Sequence, residues 1–302
     1  MDGGTGSGGG TGDSRLALFS PEAISAMRAE PGFDAAARLC AVNVIGLYRD
    51  NRFLNLVIND QGRVVIGWFA IYLHLSGGEG LTLSRIIALC RRHGVCSAGR
   101  AAAIVGLMRA TGYLAPVPSG DRRERRLIPT ERLMNGQWER WRCVLTALAH
   151  IRPEAKLGLA AMGNPAFDRS LVSDLFDHYR AGFRLIGANV AELSLIGRRK
   201  AAVMILFSLF AARRAGEGGE AVAELSVSEL ARRFHVSRAH VISVLRDAQE
   251  QGLLRRGEMD GDPLVILPPL VDGVSKFLAS SFLLMDHCSR RALNVLPRSA
   301  AA

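Results

Sequence analysis

The chain has 302 residues, of which 49% are hydrophobic, 22% charged and only 6% aromatic. That balance excludes a disordered or collagen-like chain and leaves room for two domains of ordinary size, better suited to helices than to a β-sandwich. The formal net charge of +10 points to an anionic partner, nucleic acid or an anionic membrane surface.

Met1–Ser14 is almost all Gly, Thr, Ser and Asp, and reads as a disordered tail with nothing to bury. It has neither the basic start nor the apolar stretch of a secretory signal. Its glycines lack the strand and the Gly-Lys-Ser/Thr that a phosphate loop requires. Two apolar stretches follow, Val64–Leu75 and Ala201–Ala212. Both are too short to cross ~30 Å of hydrocarbon, so buried core helices are predicted and no membrane partner is expected. Cys40, Cys90, Cys96, Cys143 and Cys288 form an odd, scattered set, which fits reduced thiols in the cytoplasm.

In the first half a long amphipathic helix comes first, then the apolar helix and the Gly-rich Ser76–Gly80 turn, and Tyr48-Arg49 is echoed by Tyr179-Arg180 in the second half. Leu81–Leu114 reads as helix, tight turn, helix. Ser84 is expected to begin the first helix and Gly94-Val95 to make the turn. The second helix runs from Ser97 to Thr111 with Ala101, Val105 and Met108 inward. Cys90, His93 and Cys96 lie close together, but a structural metal site needs about four ligands and no fourth is evident, so no metal is expected.

In a helix-turn-helix the start of the second helix enters the major groove, which makes Ser97, Arg100, Ala101 and Ala103 candidate base contacts. Arg100 leads, because Arg pairs bidentately with guanine; Ala101 leaves room for close approach or a thymine methyl. Arg109, farther along, joins them as a DNA contact. A Pro/Ser/Gly/Asp turn before Arg122, Arg123, Arg125 and Arg126 and a Leu-Ile run predicts a β-hairpin wing. Its arginines would reach the minor groove or clamp phosphates. Leu133, Trp138, Trp141, Leu145 and Leu148 then draw one stripe along a closing helix.

Pro153, Gly158, Gly163 and Asn164-Pro165 break helical continuity, and residues 153–165 are expected as a linker. The second half repeats the order of elements, and residues 97–129 align with 237–269 at one offset of 140. Ser228 is expected to cap a short helix through Phe234, His235-Val236 to turn, and Ser237 to cap the next helix. Val241, Leu245 and Ala248 form its buried face, and Gly252 stops it. Ser237, Arg238, His240 and Ser243 are its candidate base contacts, and Arg246 is placed for a phosphate. The second wing, Gly257–Asp262, is short and acidic. Val274, Phe277, Ser281, Leu284 and Cys288 trace the closing stripe.

The fold class expected is mainly α with small β-wings. Two winged helix-turn-helix domains, 15–152 and 166–302, are flanked by long helices and related by a pseudo-twofold repeat. Gly112-Tyr113-Leu114, followed by Asp121-Arg122-Arg123-Glu124, an apolar strand and Thr130, resembles the wing of MarR-type transcriptional regulators. The likeness covers about Leu81–Thr130 well and the flanking helices loosely. It implies a wing that contacts the DNA backbone or minor groove. That family usually carries one module per chain in a homodimer, whereas here the module is duplicated.

Charge separates the halves. Arg91–Arg132 holds nine Arg against Asp121, Glu124 and Glu131, whereas Ser228–Asp262 holds six Arg against six acidic residues. The first module is therefore expected to supply most of the affinity that comes from counterion release. No nucleophile elbow, zinc-binding His pair or nucleotide fingerprint appears, and the seven histidines form no metal spacing, so neither an enzyme nor a cofactor is expected. The expected function is sequence-specific binding of double-stranded DNA by a nucleoid-associated regulator of transcription. A plasmid-type replication initiator and a winged-helix scaffold of chromosome maintenance stay open as alternatives. So do a small-molecule effector and a homodimer built on the intrachain pair.

Overall fold

The computed structural model describes residues 15–49, 51–57, 60–117, 126–184, 190–194, 196, 199–216, 220–256 and 263–297. The Gly-rich tail and the tips of both expected wings lie outside them.

Helices α1 (Pro21–Ala29), α2 (Phe33–Tyr48), α3 (Arg52–Val57) and α4 (Gln61–Leu75) lead into β1 (Leu81–Thr82). Then come α5 (Leu83–Arg92), α6 (Ala98–Ala110), the hairpin β2 (Leu114–Pro116) and β3 (Arg126–Pro129), and α7 (Glu131–Leu148). The order recurs with α8 (Ala155–Ala161), α9 (Pro165–Arg180), α10 (Ala191–Ser194) and α11 (Ala202–Ala212). After β4 (Arg214–Ala215) and β5 (Ala221–Ala223) come α12 (Val227–Arg233), α13 (Arg238–Glu250), β6 (Leu254–Arg255), β7 (Leu264–Ile266) and α14 (Pro268–Leu293). The described residues are mainly helical, with two small antiparallel sheets in the orders β1-β3-β2 and β4-β5-β7-β6.

Local chemistry explains where these helices begin. A cap needs an extended backbone and a short side chain that can accept from an amide in the first turn. Ser97 and Ser237 do this as expected, accepting from Arg100 N at 3.3 Å and His240 N at 3.1 Å. Their partner helices start two residues earlier than expected. Thr82 Oγ1 accepts from Arg85 N at 3.3 Å and Ser226 Oγ from Glu229 N at 3.0 Å, so Ser84 and Ser228 fall inside the first turn. Thr82 is also the last residue of β1, and its extended backbone serves strand and cap at once.

The strand registers correct the alignment of the two halves. Leu114 pairs with Pro129, but Leu254 pairs with Ile266. The offset of 140 therefore holds through the second helix and falls to 137 after the hairpin, which is three residues shorter in the second half. The match of Pro129 to Pro269 is coincidental. Residues 153–165, expected as a linker, contain α8, whose Ala155 and Gly158 are buried. A Cβ on Gly158 would come within 3.1 Å of Ser289 Cβ, so α8 lies close against α14.

The halves interlock by reciprocal packing. α2 packs on α7 and α9 on α14; α1 packs on α14 and α8 on α7; α2 packs on α11 and α9 on α4. Each apolar helix, α4 or α11, thus lies against the long helix of the other half. Tyr72 stacks on Phe176 across one of these contacts, with ring centroids 3.6 Å apart. Across the other, Arg38 donates to the carbonyls of Ala211 at 3.2 Å and Arg213 at 2.7 Å. Arg152 bridges Glu30 at 3.1 Å and Asp286 at 2.7 Å. α14 carries more than one apolar stripe: residues 273–286 are buried except for Lys276 and Phe277, so it is the central shaft of the core. α4 and α11 are buried core helices as expected, and among the described residues no helix is long and apolar enough to cross a membrane.

Candidate nucleic-acid interface

α5 ends at His93, and Gly94 takes φ +63°, a left-handed turn that glycine adopts without a Cβ clash. Val95 N donates back to Cys90 O at 2.9 Å, and Ser97 starts α6. Apolar Ala101, Ile104, Val105 and Met108 then face the core. In the second half His235 takes the left-handed position at φ +51°, Val236 N donates to Ala231 O at 3.1 Å, and Ser237 starts α13. Val241, Val244, Leu245 and Ala248 face inward. Gly112 and Gly252 take φ +73° and +68° after these helices and turn the chain into β2 and β6.

The outward face of α6 is made of Ala98, Gly99, Arg100, Ala103, Gly106 and Arg109, all exposed. A Cβ on Gly99 or Gly106 would meet nothing within 4 Å, so a flat surface can approach the helix backbone closely. Ser97 is exposed as well. Ala101 is not a contact residue: it is 0% exposed, because its position a turn ahead of Val105 and Met108 puts it on the core face. Arg100 lies within 3.4 Å of Asp60, the residue that caps α4 by accepting from Arg63 N. The Arg100 side chain stays 57% exposed. Arg91, Arg92 and Arg109 make no ion pair among the described residues. Arg126 opens β3 and is exposed, whereas Arg122, Arg123 and Arg125 lie outside the described residues.

α13 presents a different face. Ser237 and Arg238 are exposed, and Arg238 has no ion-pair partner among the described residues. His240 and Ser243 are only half-exposed, because both are held by the segment before α11. His240 Nε2 lies 2.8 Å from Lys200 O, and Ser243 Oγ accepts from Arg199 at 3.0 Å. Arg199 also pairs with Asp247. Arg246 is exposed beside Glu250 at 3.8 Å, and Arg233 pairs with Glu229 at 2.6 Å. Ile242 projects from this face with 42% exposure. The sequence pattern missed Ile242 because its apolar neighbours Val241, Val244 and Leu245 share the core face.

The Cys90–His93–Cys96 trio does not form a metal-ligand group. Burial, and then Cys96 beside it, pushes the Cys90 thiol up to about 12, which leaves it protonated and unreactive. All five cysteines are free. An apolar cavity of about 160 Å³ opens where the halves meet, lined by residues that include Val44, Trp68, Met204 and Phe207, with Asp60 and Arg140 on its lining. We find no match to this chain among models of known protein families, curated proteins or solved structures.

Proposed function

We propose that this chain is a sequence-specific, double-stranded DNA-binding regulator of transcription built from two winged helix-turn-helix modules. The observation that carries the reading is the recurrence of one unit. Helix, left-handed turn, Ser-capped helix and antiparallel hairpin occur twice, each time with the start of the second helix exposed. A helix with such a start can enter the major groove, while a hairpin beside it meets the backbone. The reciprocal packing supports an approximate twofold relation between the modules, so one chain serves as its own dimer.

On this reading Arg100 and Arg238 read bases, and Arg109, Arg246 and the arginines of the first wing neutralise phosphates. The apolar cavity is where a small-molecule effector would act, since its lining includes Asp60, the partner of Arg100. Genomic binding mapped at base resolution tests the reading. Discrete sites at promoters support regulation, iterated repeats at an origin favour an initiator, and no enrichment removes DNA as the partner.

One observation favours a second role for the second module. With His240 and Ser243 held internally and Ile242 exposed, α13 offers an apolar contact beside Arg238, a surface equally fit to meet a protein. A DNA affinity untouched by Arg238→Ala, together with a partner protein lost on Ile242→Asp, would assign that role.

A further inference from the structure

Away from the proposed DNA face, α9 and α14 bring three metal-ligating side chains together. Asp174 and His178 are one turn apart on α9, a spacing that puts both on one helix face. Cys288 comes from α14. One ligand atom of each lies within 4.8 Å of the others, and all three residues are buried, with His178 at 1% exposure and Cys288 at 0%.

Cys288 and Asp174 share a hydrogen bond, but hydrogen bonding leaves the imidazole between them unexplained. Both ring nitrogens of His178 are buried without a partner, and so is Asp174 Oδ2. Arg291 Nε lies 3.1 Å from that oxygen, close enough for an ion pair but off the line of a hydrogen bond. A buried imidazole normally satisfies at least one nitrogen, and when it satisfies neither, a missing ligand is the first thing to seek. His287, next to Cys288, places its Nε2 3.9 Å from Asp174 Oδ2, and its ring stands edge-on to His178 with centroids 5.1 Å apart. Phe19 closes another side of His178, ring centroids 5.7 Å apart.

We propose that Asp174, His178 and Cys288 bind a borderline divalent metal ion of the zinc class, with His287 or water as fourth ligand. The donor set selects the metal. Thiolate and imidazole favour zinc-class ions over magnesium or calcium, which take oxygen donors. One thiolate and one carboxylate neutralise a divalent ion, so the complex can stay buried, and the charge of Arg291, which remains beside Asp174, sits on a side chain that is 59% exposed to water.

Cysteine ligates as its thiolate, so binding breaks the Cys288 S–H bond, forms a sulfur–metal bond and releases one proton to solvent for each metal bound. No electron is transferred.

Full-length protein freed of metal by chelation is titrated with Co²⁺ and then Zn²⁺. The proposal expects one Co²⁺ per chain, an intense near-ultraviolet thiolate-to-cobalt band, and displacement by Zn²⁺. Cys288→Ser removes that band and Cys96→Ser keeps it. Should Cys288→Ser fail to fold, X-ray absorption of the wild-type zinc form decides. One sulfur at about 2.3 Å with nitrogen and oxygen at about 2.0 Å supports the site. Absence of stoichiometric uptake, a nitrogen–oxygen-only shell, or a thiolate band that survives Cys288→Ser overturns it.

Discussion

The helix pairs α5–α6 and α12–α13 share a backbone frame but not the availability of their polar groups. On α6 the outward face sets Arg100 and Arg109 among Ala and Gly; Arg100 meets Asp60, and Arg91, Arg92 and Arg109 have no acidic partners among the described residues. On α13 the corresponding face is tied down: Arg199 holds Ser243 and pairs with Asp247, Lys200 O meets His240, and Arg246 sits beside Glu250. Both contacts come from the segment just before an apolar helix: Asp60, the cap of α4, meets Arg100, and Lys200, two residues before α11, meets His240. An ion-paired cation releases fewer counterions on binding phosphate than a free one, so equal numbers of arginines do not mean equal affinity. The difference teaches that two units can share a backbone frame while their polar groups differ in availability; on the proposed reading, one would hold the polyanion and the other would set orientation or select the partner.

The comparison breaks most visibly if the halves are not one folding unit. Phe282 is fully buried in α14, and its ring meets Phe33 of α2 with centroids 5.9 Å apart. Phe282→Ala is expected to lower stability by about 3–5 kcal/mol. Because α14 packs on helices of both halves, denaturant titration should still show a single transition. Two separate transitions would mean that the halves fold independently.

Next in size is the first wing. Changing Arg122, Arg123, Arg125 and Arg126 together to Ala should reduce the slope of log affinity against log salt by about 3–4, at roughly 0.9 for each phosphate no longer neutralised. An unchanged slope removes this hairpin from the DNA-binding surface. Arg100→Ala sharpens the comparison further: it should weaken the best site by about 1–3 kcal/mol and nearly spare random DNA. Arg238→Ala, measured on the same two DNAs, should cost less if the second module only orients the chain. Equal losses on both DNAs would make Arg100 a phosphate contact.

The smallest effect belongs to the latch. Asp60→Asn keeps a capping oxygen for α4 but removes the charge beside Arg100. The pair is half-exposed and screened, so freeing Arg100 should tighten DNA binding by no more than about 1 kcal/mol. Tightening absent from the Arg100→Ala background confirms that the two act together, and equal tightening in both backgrounds shows that Asp60 acts by general charge alone.

Much of this architecture is legible in the chain. The capping serines at 97 and 237, the glycines after each second helix and the 3.6-residue spacing of Val241, Leu245 and Ala248 are local signals, and each appears in the fold. β1 and β5 are not legible, since two or three residues are too few to show alternation. Nor is α8: its Gly158 reads as a helix breaker, but an added Cβ there would sit 3.1 Å from Ser289 Cβ, so the close packing on α14 favours glycine. The Asp174–His178–Cys288 cluster joins residues more than a hundred positions apart, and only the pairing of α9 with α14 brings them together. The latches on Arg100 and His240 are hidden for the same reason. At Ala101 smallness suggests room for DNA, yet in α6 it permits close packing inward.

The most direct test of the central claim is a hydroxyl-radical footprint of the full-length protein on its best genomic site, with stoichiometry measured in parallel. The account predicts one chain per site and protection across two neighbouring major grooves about 34 Å apart on one DNA face. The stronger protection should lie over the half met by α6 and the arginine hairpin. Protection of a single groove, strict symmetry from two chains each using one module, or no site bound above random DNA would contradict it.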